Sequence, residues 1–131
     1  MKTKQNFWKY SGILLIATGT LHTIVAIALF GDYLWSIVKD VLSSTLESDN
    51  VSQGLAFWFF VLGFFIIILG QILHHYIKKE QQPAPKSLGY WLLGLGLIGG
   101  IIVPISGFWL FIPQALIILL AKKKQTTISN N

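Results

Sequence analysis

Three stretches of this chain carry no charged side chain: residues 10–31, 50–77 and 87–121. A helix of about 20 apolar residues crosses a hydrocarbon layer about 30 Å thick, and each stretch is long enough to do so. In a water-soluble helical protein polar residues would return at every turn, and here they do not. Backbone amides placed in lipid must be satisfied within their own segment, so the stretches are read as helices. With 53% of residues hydrophobic and only 11% charged, the chain is read as an integral membrane protein.

The third stretch is too long for one crossing. Residues 87–121 as a single helix, at 1.5 Å per residue, would measure about 52 Å. A break at Pro104-Ile105-Ser106-Gly107 divides it into two short helices. The expected fold is all-α: a four-helix transmembrane bundle with spans near residues 8–30, 52–76, 88–104 and 107–121. The whole chain, 1–131, is read as one membrane domain.

The charges give the count and the orientation. With four spans, Lys2, Lys4, Lys9, Lys78, Lys79, Lys86, Lys122, Lys123 and Lys124 fall on one side, and Asp32, Asp40, Glu47 and Asp49 on the other. Lys39 is the exception. Lysine-rich flanks stay cytoplasmic, so both termini are expected there, in a multi-pass protein of the cell (plasma) membrane. Three spans would strand the C-terminal lysine triplet outside. Rings favour the membrane–water interface. Trp8, Tyr10, Tyr76, Tyr90 and Trp91 fall at the inner one, and Tyr33, Trp35, Trp58 and Trp109 at or near the outer one. The first span is expected to remain uncleaved, because its apolar stretch exceeds a signal-peptide core and Thr18, Thr20, His22 and Thr23 interrupt it.

Between spans one and two, Leu34, Val38, Val41, Leu42 and Leu46 recur at helical spacing after Asp32, a good capping residue. This predicts a separate extracytoplasmic amphipathic helix over about 33–46, either lying on lipid or acting as a lid. Residues 78–86, with Pro83 and Pro85, read as a stiff cytoplasmic linker. The polar tail 125–131 reads as disordered.

Helices in lipid associate through close packing, so small residues mark their interfaces. Gly12, Gly19 and Ala26 recur every seven residues on span one, and Ala56, Gly63 and Gly70 on span two. That period keeps one seam towards a partner, and the two seams are expected to meet as an antiparallel hairpin. Span three carries Gly89, Gly94, Gly99 and a GxxxG pair, Gly96 and Gly100. These serve packing within the chain or a homodimer.

His22 is the one ionisable side chain expected deep in the membrane. It shares the Gly19–Ala26 face, with Thr18 a turn before it and Thr23 beside it. Such a group is either a ligand-contacting or proton-handling residue or a neutral histidine bonded to Thr18 or to a neighbouring helix. Gln114, after Pro113, either bonds another helix or lines a pocket with His22. His74 and His75 do not suit a metal, since adjacent helical residues point about 100° apart and helical ligand pairs sit four residues apart. His22 lies about 18 Å from the inner interface and His74 about 3 Å, too far apart to share an ion with bonds near 2.0–2.1 Å.

No cysteine is present, which excludes disulfides and thiol chemistry. No carboxylate lies in a span, and no hydrolase, zinc-protease or phosphate-loop motif occurs. No catalytic residue, metal site or cofactor is therefore expected, and the reading leans away from an enzyme. The net charge of +5 does not point to nucleic acid, because the lysines flank apolar segments.

Trp8 through Gly12, Thr20-Leu21-His22-Thr23, Gln53 through Phe59, Ser87-Leu88-Gly89-Tyr90 and Pro104-Ile105-Ser106-Gly107-Phe108-Trp109-Leu110 occur in that order. The arrangement resembles domain-of-unknown-function family 6463, small bacterial four-span membrane proteins. The resemblance implies the four-span architecture and draws attention to His22 and the Ser106–Trp109 turn, but brings no activity. Gln114 departs from a more apolar pattern at its place. Two functions are carried forward. One is a non-enzymatic membrane protein acting through helix contacts with itself (a homodimer) or a membrane partner in the lipid bilayer. The other is binding of a small apolar ligand, a lipid or quinone, near His22, Thr18, Thr23 and Gln114.

Overall fold

The computed structural model describes residues 6–43, 51–104 and 106–122. After a 3-10 turn, Phe7–Tyr10, come four α-helices: α1 (Ser11–Ser43), α2 (Val51–Glu80), α3 (Lys86–Ile102) and α4 (Phe111–Leu119). A second 3-10 turn, Gly107–Leu110, leads into α4. The described residues contain no strand. Two helices, Phe7–Ser43 with its 3-10 turn and Val51–Glu80, are long and apolar enough to cross a membrane; Lys86–Ile102 and Gly107–Leu119 are shorter apolar helices. The chain forms two compact units, one of Met1–Leu14 with Gly70–Asn131 and one of Leu15–Leu69.

In the second unit α1 and α2 run antiparallel, and small residues let their backbones approach. A methyl group at Gly19 would lie 2.8 Å from the Gly63 carbonyl and from Ile67, and one at Gly63 would overlap the Thr23 hydroxyl. Ala26 and Ala56 are fully buried. Larger side chains would separate the helices and remove the dispersion contacts between them.

The expected outer amphipathic helix is not a separate element. The part of it within the described residues, 33–43, continues α1 without a break; 44–46 lie outside them. Gly31 and Asp32 are weak breakers, since one helical glycine costs only about 1 kcal/mol. The Gln53 side-chain amide donates to Ser36 Oγ at 2.8 Å and to the Asp40 carboxylate at 2.9 Å. These bonds fix Ser36 and Asp40 of this part of α1 against the start of α2, while Lys39 and Ser43 stay exposed.

In the first unit α1 begins beside the end of α2. A methyl at Gly12 would sit 2.5–2.7 Å from the backbone and Cβ of His74. The linker expected over 78–86 is shorter, because α2 persists to Glu80. Gln81 takes the left-handed conformation, φ 51°, that more often falls to glycine after a helix. Its main-chain amide donates to the Ile77 carbonyl and its side-chain amide to the Lys78 carbonyl, closing the end of α2. Pro83 and Ala84 are buried.

The break between α3 and α4 falls where proline and glycine place it. Ile105 and the tail 125–131 lie outside the described residues. Val103 N–H donates to Gly99, Ser106 Oγ accepts from Phe108 N–H, and Trp109 Nε1 donates to the Pro104 carbonyl at 2.9 Å. Pro113 lacks the amide that would reach back to Trp109, which suits the 3-10 winding before it. The α3 glycines then receive α4: Leu119 and Ile118 over Gly89, Ile112 over Gly96, Phe108 over Gly99 and the Trp109 ring over Gly100. The GxxxG pair thus packs within the chain. Gly94 alone on α3 has nothing within 4 Å.

Overpacking a close-fitted site costs about 1–3 kcal/mol. Gly63→Ala, which drives a methyl into Thr23, is expected to lose stability of this order in a denaturant titration in mild detergent. Gly94→Ala should leave the midpoint unchanged or raise it slightly. Equal losses would contradict the packing described.

Candidate functional site

His22 lies on the α1 face that meets α2. The Thr23 hydroxyl beside it donates back to the Gly19 carbonyl at 2.9 Å, and Thr20 bonds Ile16 in the same way at 2.8 Å. Serine and threonine in helices satisfy their hydroxyls by this route. His22 instead reaches across to the other helix. Its Nε2 lies 3.0 Å from the Phe59 carbonyl. A carbonyl only accepts, so Nε2 carries the proton.

The same residue supplies the second contact. The His22 and Phe59 rings stack with centroids 4.2 Å apart and 27° between planes, and Phe30 meets Phe59 at 5.3 Å. One residue of α2 therefore holds both the edge and the face of the imidazole. The Phe59 carbonyl stands one turn before Gly63, which packs closely on Gly19 and Thr23, so the bond and the close contact belong to one crossing.

The other expected positions fall as follows. Thr18 and Thr23 are half-buried on α1 near His22, in the second unit. Gln114 is 5% exposed on α4 and belongs to the first unit. His74 packs on Gly12, with its Nδ1 buried and without a hydrogen-bond partner among the described residues, and His75 is exposed. Gly70 is buried. Among the described residues no three histidine, cysteine or carboxylate side chains gather to hold a metal. Chemically, the arrangement around His22 can donate a hydrogen bond and present an aromatic face; it brings no nucleophile or carboxylate beside the imidazole.

Two participants escaped the sequence reading. Phe59 acts through a main-chain carbonyl and an apolar ring, and neither marks a residue as polar. Gln53 was legible only as a polar residue at the start of a span. The spacing of Ser36 and Asp40, four apart on one helix face, is the signal that could have pointed to a shared partner.

His22→Phe keeps an aromatic face but removes the donor, and should cost about 0.6–1.7 kcal/mol, the range for one hydrogen bond between helices in a membrane. His22→Ala also loses the stacking, worth about a further 0.5–1.5 kcal/mol. Denaturant titration of both variants beside the native chain measures the difference. Equal stability of His22→Ala and the native chain would show that neither contact holds the helices.

The sequence profile described as "Family of unknown function (DUF6463)" matches residues 6–125. No curated protein and no solved structure gives a significant match to the chain. The match spans nearly the whole sequence, including α1 to α4 and the His22 crossing, and the chain therefore belongs to this family of unknown function.

Proposed function

We propose that the chain is a four-span membrane protein, with both termini cytoplasmic, that works through helix contacts with itself or a membrane partner and not through chemistry. The observation that carries this reading is the division of the α3 surface. Gly89, Gly96, Gly99 and Gly100 are covered by the chain's own residues, whereas Gly94 faces open space. Gly94 lies at helical spacing among Trp91, Leu95, Ile98 and Ile102, all exposed and apolar, with Trp91 73% and Ile98 62% accessible. A small residue within an apolar helical stripe is how helices in lipid receive one another.

The groups that could have served chemistry support the same reading. The His22 Nε2 is engaged by the Phe59 carbonyl and its ring by the Phe59 ring. An apolar ligand beside His22 would have to displace that stacking or approach from another side, so the ligand reading ranks second.

A photo-crosslinking side chain at Ile98, introduced in native membranes, tests the proposal. The expected product is a discrete crosslinked protein, either a second copy or a membrane partner, that is lost when the group is placed instead at buried Leu92. If Ile98 yields no protein adduct, and the protein runs as a monomer in several mild detergents without a co-purifying partner, the proposal fails.

A further inference from the structure

The first unit concentrates basic charge at one end. Lys9 lies just before α1, Lys78 and Lys79 in the last turn of α2, Lys86 opens α3 and Lys122 follows α4. Contacts within the unit bring these ends together. Gly12 meets His74, so the start of α1 lies beside the end of α2. Gly89 meets Leu119, so the start of α3 lies beside the end of α4. The five residues 81–85 join α2 to α3, and α4 also touches the Phe7–Tyr10 turn. Glu80 is the one acidic residue in the sequence of this unit.

Helix capping does not account for these lysines. The last turn of α2 is closed by Gln81, whose two amides take the Ile77 and Lys78 carbonyls. Gln81 adopts φ 51° to do so. The turn it makes, with Pro83 and Ala84 buried, carries Lys78, Lys79 and Lys86 as exposed side chains on one short fixed connection. One turn along the helices from these charges, Tyr76, Tyr90 and Trp91 are exposed. Rings at that place sit at the level where headgroups meet acyl chains.

We infer that the α2–α3 turn is a docking surface for anionic phospholipid headgroups, with Lys78, Lys79 and Lys86 holding the phosphate and Tyr76, Tyr90 and Trp91 seated at the glycerol level. The inference rests on the membrane reading above, and its lysines lie outside the Gly94 stripe of α3. Charge complementarity selects the occupant: clustered lysines beside an apolar helix attract an anionic leaflet. The rings and the apolar helices directly below favour a lipid over a polynucleotide.

The test uses the full chain in nanodiscs of equal phosphatidylcholine and phosphatidylglycerol, released into native mass spectrometry. The wild-type protein should retain phosphatidylglycerol in preference. In the triple variant Lys78→Gln, Lys79→Gln and Lys86→Gln the preference should fall by about fivefold per lysine, one surface charge being worth about 1 kcal/mol beside an anionic leaflet. Lys39→Gln, in the other unit, should leave it unchanged, and circular dichroism checks that each variant stays helical. Equal retention of the two lipids by the wild type, or a preference that survives the triple variant, overturns the inference. A loss as large with Lys39→Gln overturns it too, because the effect would then be general charge and not this turn. Failure to enter nanodiscs would remove the membrane reading itself, which an equal retention of both lipids would not do.

Discussion

Close approach of α1 and α2 at Gly63 is the constraint on which the rest of their unit depends. Hydrophobicity does not hold two apolar helices together in lipid, because the acyl chains are as apolar as the side chains. What remains is dispersion, which needs backbones near one another, and hydrogen bonds that become possible once they are. With a side chain at Gly63 the Thr23 hydroxyl would have to move. The imidazole of His22, one residue away, would move with it and lose its reach to the Phe59 carbonyl. Polar and apolar contacts at this crossing are therefore coupled through geometry.

The α3–α4 hairpin solves the same problem differently. Its glycines do not receive another glycine but large side chains from the turn that joins the helices, Phe108 and Trp109, and from α4. The turn is largely apolar, and three of its donors are paired locally: Trp109 Nε1 on Pro104, Phe108 N–H on Ser106, Val103 N–H on Gly99. Each donor paired within the turn lowers the cost of placing it in an apolar environment.

The polar ends of the helices divide along the chain. Acidic residues other than Glu80 fall in sequence between the C-terminal third of α1 and the start of α2, where Gln53 ties Asp40 and Ser36 together. Lysines other than Lys39 belong to the unit that holds both chain ends and the α2–α3 turn. A charge asymmetry of this kind orients a chain during insertion and then persists as a surface feature.

By itself the sequence determined the helical class, the break at Pro104–Gly107 and the residues small enough to form seams, but it divided α1 in two after Asp32, where the helix runs on to Ser43. Each of these is local: charge-free length, proline and glycine placement, and a seven-residue period are readable along one strand of text. Only the tertiary structure decided which partner each polar group takes. His22 meets a backbone carbonyl, which no residue type announces, and the GxxxG pair of α3 is filled by Phe108, Ile112 and Trp109 within the chain. The stretch after Asp32 continues α1, and Gln53 bonds Ser36 and Asp40 on its polar face. Such choices depend on the rotation and spacing of two helices at once, and those are set by side-chain packing across the interface.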